Sequence, residues 1–174
     1  MSDTFITIIA IFLAAILMFI FPLMTLADRN DDVTQLTVQT STDQFVGEIR
    51  RTGKLTSDQY NSFVVTLAST GNAYDVEMEI QILDENPSKK TSQLTGVTVI
   101  GENVYYSVYT TQIEDKLDSE GEYILKEGDI VTVEVKNRGT TLAQTLRNVY
   151  YKVSGNDTYT IYASSAGTVT VNGN

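Results

Sequence analysis

The stretch FITIIAIFLAAILMFIFPLMTL, residues 5–26, decides how the rest of the chain is read. Its 22 residues carry no charge, and its only polar side chains are those of Thr7 and Thr25. Wound as an α-helix at about 1.5 Å per residue, it reaches roughly 33 Å, enough to cross a hydrocarbon core of about 30 Å. A core helix of a water-soluble domain carries a polar stripe, and this segment has none. The reading is a single-pass membrane anchor over residues 1–27. A cleaved secretory signal fits less well. Such signals begin with basic residues and an apolar stretch of about 7–15 residues, whereas the run here is longer and follows Met1-Ser2-Asp3-Thr4.

Composition bounds the part of the chain beyond the anchor. Of 174 residues, none is Cys or His, and the formal net charge is −10. Residues 28–174 have the size of one domain with its own core, stabilised by packing rather than disulfides. An acidic surface argues against nucleic acid and anionic lipid headgroups as partners, because both need basic patches. Ten Tyr and many Thr suit sheet structure with one wet face. Arg29 lies among Asp28, Asp31 and Asp32, so the positive-inside rule has little to weigh. Composition leans toward a translocated C-terminal part, and the expected location is the cell membrane with residues 28–174 outside the cytoplasm.

Past residue 27, Val33, Leu36, Phe45, Val46 and Ile49 fall on a helical stripe with Thr37 and Thr40 nearby, and Arg50-Arg51 followed by Gly53 forms a cationic, left-handed stop. One long helix is expected, its first half in lipid and its second half amphipathic, with Pro22 bending it near the membrane surface. The β-branched run VTQLTVQTST offers a rival strand at Leu36–Thr40. Thr56 and Gln59 match a capping box, and Tyr60, Phe63, Val64 and Leu67 recur at helical spacing up to Gly71. In AYDVEMEIQIL, Tyr74, Val76, Met78, Ile80 and Ile82 alternate with polar residues, which marks a half-buried strand. A loop, with a short strand at Val97–Ile100, leads to a helix read over Asn103–Leu117 from the spacing of Tyr106, Tyr109, Ile113 and Leu117. Val131, Val133 and Val135 line a second strand, and Thr141 caps a helix with Leu142, Leu146 and Val149 as its stripe. The pattern closes as a hairpin of Thr158–Ser164 and Thr168–Asn172, bent at Ser165–Gly167. Asn156-Asp157-Thr158 fits the short glycosylation pattern.

This order of elements gives an α+β fold, with helices packed on one face of an antiparallel sheet. An N-terminal membrane helix whose second half packs on such a sheet resembles the type IV pilin architecture. More narrowly, the anchor starting at residue 5, the late Pro22 and the run FVGEIRRTGKLTSDQYNSFVVTLASTGNAYDVEMEI resemble small pilin-like proteins of tight-adherence (Tad/Flp) systems, the TadE/TadF-like group. The resemblance covers about the first 83 residues. It implies a non-enzymatic pseudopilin-like component of a Tad-type pilus or secretion apparatus. Its partners would be the membrane and other pilin-like or platform subunits. The anchor and assembly surface would be Asp3, Phe5, Ile8, Phe12, Leu13, Phe19 and Pro22, with Asp3 able to pair with a neighbour's terminal amine. Prepilins carry a basic leader ending in Gly and a Glu at the fifth mature position. Here the first Gly is Gly47 and the first Glu is Glu48. A component that stays in the membrane, or sits at the base or tip of an assembly, is compatible with those differences.

Catalytic readings are thin. Without His or Cys there is no Ser-His or Cys-His nucleophile and no imidazole or thiolate metal site. The carboxylates of DKLDSEGE (Asp115, Asp118, Glu120, Glu122) lack calcium-loop spacing and read as an acidic helix end with a turn. Glu77 and Glu79 read as the solvated face of a strand. No cofactor, metal or small-molecule substrate is expected. The alternative function is a membrane-anchored extracytoplasmic domain that binds a ligand or senses one.

Overall fold

The computed structural model describes residues 2–84, 105–151 and 161–173. The apolar segment and the stretch after it form one helix, α1 (Ser2–Thr52), continuous through Pro22. The Pro22 ring removes one intrahelical bond, the one the Met18 carbonyl would otherwise accept. Burial begins where the apolar run ends. From there, buried positions recur every three or four residues at Ala27, Asp31, Thr34, Val38, Thr42, Phe45 and Ile49. The stripe expected from Phe45, Val46 and Ile49 is therefore present, but Val33 and Leu36 are exposed. The inward face of that section is small and polar. Thr42 satisfies its hydroxyl on the Val38 carbonyl at 2.8 Å, which lets it sit fully buried.

After Gly53 the chain forms β1 (Lys54–Thr56), α2 (Ser57–Ala68), β2 (Tyr74–Leu83), β3 (Tyr105–Tyr109), α3 (Thr110–Glu120), β4 (Glu122–Ile124), β5 (Ile130–Asn137), α4 (Leu142–Tyr151) and β6 (Tyr162–Thr168). Four strands make an antiparallel sheet in the order β3-β2-β5-β6, while β1 and β4 pair separately. In the main sheet Met78 lies opposite Val133 and Ile80 opposite Val131; across the next ladder Val133 faces Ser165 and Val131 faces Gly167. These positions turn to one face. There, Phe45, Val46 and Ile49 of α1, Phe63 and Leu67 of α2, and Ile113 and Leu117 of α3 complete a single core. Phe45 and Phe63 stack with centroids 4.3 Å apart and join α1 to α2.

Two further expectations are corrected. Residues 105–109 form a strand, and the helix starts only at Thr110. The Thr110 hydroxyl bonds the Met78 N–H at 2.7 Å, completing β2 at the point where β3 leaves it. The closing segment is one strand and not a hairpin. Ser165 and Gly167 lie mid-strand on the core side because α1 crosses there; a Cβ on Gly167 would come within 2.6 Å of the Arg50 side chain. Small residues that suggest a bend in sequence here make room for a helix. The proposed strand at Val97–Ile100, the start of the helix at Asn103, the first hairpin arm at 158–160 and the glycosylation pattern lie outside the described residues.

Local chemistry sets the helix ends. At α2, Thr56 Oγ1 accepts from the Gln59 N–H at 3.2 Å and Gln59 Oε1 accepts from the Thr56 N–H at 2.9 Å, the expected capping box. Gly53 ends α1 with φ +68°, its N–H bonded to the Ile49 carbonyl at 2.8 Å. Thr170 then donates both its N–H (3.0 Å) and its hydroxyl (3.1 Å) to the Arg50 carbonyl, so the segment after β6 caps the helix. A Cβ on Gly53 would lie 2.3 Å from the Val171 carbonyl oxygen. Between α2 and α3, the Tyr60 hydroxyl donates to Glu114 at 2.6 Å; burial first, then that bond, pushes its pKa well above the ordinary tyrosine value.

The outer sheet face is polar. Glu77 and Glu134 stand directly opposite each other, and Lys136 bridges them at 3.0 and 3.2 Å. Hydrogen bonds from Ser107 first, then Gln81, hold the Glu79 carboxyl below its ordinary pKa. Asp129, buried before β5, accepts from the Lys126 N–H at 2.8 Å and the Leu83 N–H at 3.0 Å.

Thermal or denaturant unfolding of the reconstituted chain checks this packing. Thr56→Ala should cost about 1 kcal/mol and Phe63→Ala about 3–5 kcal/mol. Gly53→Ala should cost at least ~2 kcal/mol, from the left-handed backbone and the overlap together. Glu79 is depressed in the folded state, so its stabilisation is present above the unfolded carboxylate pKa and is lost as pH falls through the lowered one. Glu79→Gln should flatten the stability profile on the acid side of the ordinary glutamate pKa and leave its shape near neutrality unchanged. An unaltered acid limb would contradict this.

Candidate membrane anchor and assembly surface

Every residue before Met24 whose burial is described is exposed in the isolated chain. Phe5, Ile8, Phe12 and Phe19, at i, i+3, i+7 and i+14, share one side of the helix, with Pro22 a turn further on; Asp3 and Leu13 lie off that side. Phe12 and Phe19 are 68% and 75% exposed, a degree that water does not tolerate along a whole helix. Residues 3–52 form a helix long and apolar enough to cross a membrane, and its most apolar window is wholly unburied. The two threonines of the apolar run, residues 5–26, are self-satisfied. Thr7 donates to the Asp3 carbonyl at 2.8 Å and Thr25 to the Phe21 carbonyl at 3.0 Å, which removes the cost of a free hydroxyl in lipid. Asp3 lies in the first turn, where the helix dipole favours a carboxylate.

The domain is bolted to this helix by contacts that sequence spacing did not reveal. Gln35 grips the backbone of Tyr162 at both ends, donating to its carbonyl at 2.7 Å and accepting from its N–H at 3.0 Å. Arg50 Nε donates to the Thr168 carbonyl at 2.9 Å, and Gln39 reaches the Ser164 carbonyl at 3.4 Å. These three side chains occupy backbone groups along the outer edge of β6, which blunts it against pairing with another strand. Nearer the apolar run, the Thr141 hydroxyl donates to buried Asp31 at 2.5 Å, and Arg147 pairs with Asp28 at 2.8 Å. Thr141 also caps α4 through Gln144, as its sequence suggested. Gln35 and Tyr162 are 127 positions apart, so no local pattern could have shown the pair.

Two concavities compare poorly with ligand sites. A groove of about 400 Å³ between α1 and α2 is lined by Gln44, Glu48, Asp58, Gln59 and Ser62 over the stacked phenylalanines. A hollow of about 230 Å³ on the outer sheet face holds Glu77, Glu79, Tyr109 and Glu134. Ligand pockets are usually apolar with a few convergent polar groups, and at about 300–1,000 Å³ larger than the second. Among the described residues no group of three His, Asp or Glu side chains is arranged to hold a metal ion.

The long apolar helix packed on an antiparallel sheet is a pilin-like arrangement. Comparison with protein-family models, with curated proteins and with solved structures returns no match.

Proposed function

We propose that this chain is a membrane-anchored, pilin-like structural subunit, a pseudopilin-type component of a Tad-type pilus or related secretion apparatus. Its helix α1 sits in the membrane up to about Leu26, its domain lies outside the cytoplasm, and it acts without catalysis. The observation that carries this reading is the continuity of α1 from a bare apolar segment into the middle of the domain core. A domain held this way cannot swivel on its anchor, which suits a part whose position within an assembly matters. An anchored binding domain would work equally well on a loose linker. Neighbouring subunits would pack against the exposed side bearing Phe5, Ile8, Phe12 and Phe19, where close van der Waals fit decides association in lipid.

Replacing residues 5–26 with a Leu/Ala helix of equal length separates the two functions. Membrane insertion should persist, since length and apolarity are kept, while co-purification with partner subunits should be lost. Normal assembly of that variant would favour the anchored binding domain. In the same cells, protease added to intact protoplasts should digest residues 28–174; digestion only after lysis would reverse the orientation.

A further inference from the structure

Helix α4 is not placed like the other helices. It rests chiefly on α1, beside the section that follows the apolar run, with Thr141, Ala143 and Gln144 buried in the seat. Two contacts fix its direction. Its start bonds Asp31, and Arg147, further along it, pairs with Asp28, so α4 runs back toward the apolar segment. At about 1.5 Å per residue, Asp31 stands some 7 Å beyond Leu26 along α1, and Asp28 about 3 Å. The headgroup layer on each side of a bilayer is about 5–7 Å thick. The part of α4 from its start to Arg147 therefore falls at headgroup depth if α1 enters lipid at Leu26. Leu142 and Leu146, at i and i+4, share a side of α4 that is not the seat. Leu142 is 59% exposed and Leu146 half-buried.

We propose that α4 is a second membrane contact, a helix that descends beside α1 into the headgroup layer with its Leu142 and Leu146 side against lipid. This proposal rests on α1 being the anchor. It explains why an amphipathic helix leaves Leu142 uncovered while burying an Asp–Thr bond. Charge points to a neutral phospholipid surface. Around the junction the carboxylates of Asp28, Asp31 and Asp32 outnumber the guanidiniums of Arg29 and Arg147, and Arg147 is already paired. Attraction to anionic lipid therefore contributes little, and apolar burial supplies the binding. With anchor and α4 both engaged, the domain meets the membrane at two places and its tilt is fixed.

The chain has no Trp, so a single introduced indole reports its own surroundings. The test uses three full-length variants, Leu13→Trp, Leu142→Trp and Val171→Trp, in phosphatidylcholine vesicles carrying either headgroup nitroxide or brominated acyl chains. Val171 is exposed beside Gly53, at the far end of α1. Leu142→Trp should lose most of its emission to the headgroup nitroxide, Leu13→Trp should be quenched by bromine, and Val171→Trp by neither. Quenching of Leu13→Trp with Leu142→Trp as bright as Val171→Trp would overturn the α4 contact and leave the anchor standing. Blue-shifted but unquenched emission from Leu142→Trp would overturn it too, because protein and not lipid would then cover that side. Failure of Leu13→Trp to be quenched would remove the anchor and this proposal with it.

Discussion

One ladder of backbone hydrogen bonds joins a bare apolar segment to a folded domain in this molecule. Helix α1 leaves an all-apolar segment at Leu26 and begins to bury residues at Ala27, with no break in its backbone. The sheet, α2 and α4 all depend on the section after Ala27. Ser165 and Gly167 of β6 are small because α1 passes over them, and the edge of β6 is occupied by Gln35, Gln39 and Arg50. Even the segment after β6 is committed to α1, since Thr170 satisfies the Arg50 carbonyl at the end of the helix. Helix ends leave carbonyls that need partners, and here the partner lies 120 residues away. A change that loosened this section would release the sheet edge and the helix cap together.

Much of this was readable where the physics is local. The apolar run, the Thr56–Gln59 capping box, the Gly53 stop and the alternation in Tyr74–Leu83 each depend on neighbours within one turn or one strand. The misreadings share a cause. Tyr105–Tyr109 carries residues that suit either element, and pairing with β2 decided for strand. Ser165-Ala166-Gly167 has turn composition, yet the approach of α1 makes small side chains necessary within a strand. Val33 and Leu36 looked like core and are exposed, because the seat of α4 and β6 on that section is made by Asp31, Thr34 and Val38. The three-residue strands β1 and β4 are too short for any periodicity to show.

The candidate surface divides in the same way. The apolar residues singled out along the anchor could be named from hydropathy, and they share their exposure with every described residue before Met24. The attachments that hold domain to anchor, Asp28–Arg147, Asp31–Thr141 and Gln35–Tyr162, were invisible because each joins residues more than a hundred positions apart. They matter for the proposed function more than any single anchor residue, since they turn a tether into a rigid mount.

That rigidity is the central claim, and it can be measured as a distance. The chain has no Cys, so spin labels can be placed uniquely at Met18→Cys and Thr40→Cys, both exposed positions on α1 on either side of Ala27. Their 22 residues of separation correspond to roughly 33 Å along a continuous helix. Pulsed electron paramagnetic resonance on the reconstituted protein should give one narrow distribution near that value, widened only by the labels. A broad distribution, or a second population at much shorter distance, would place a hinge between anchor and domain and contradict the account.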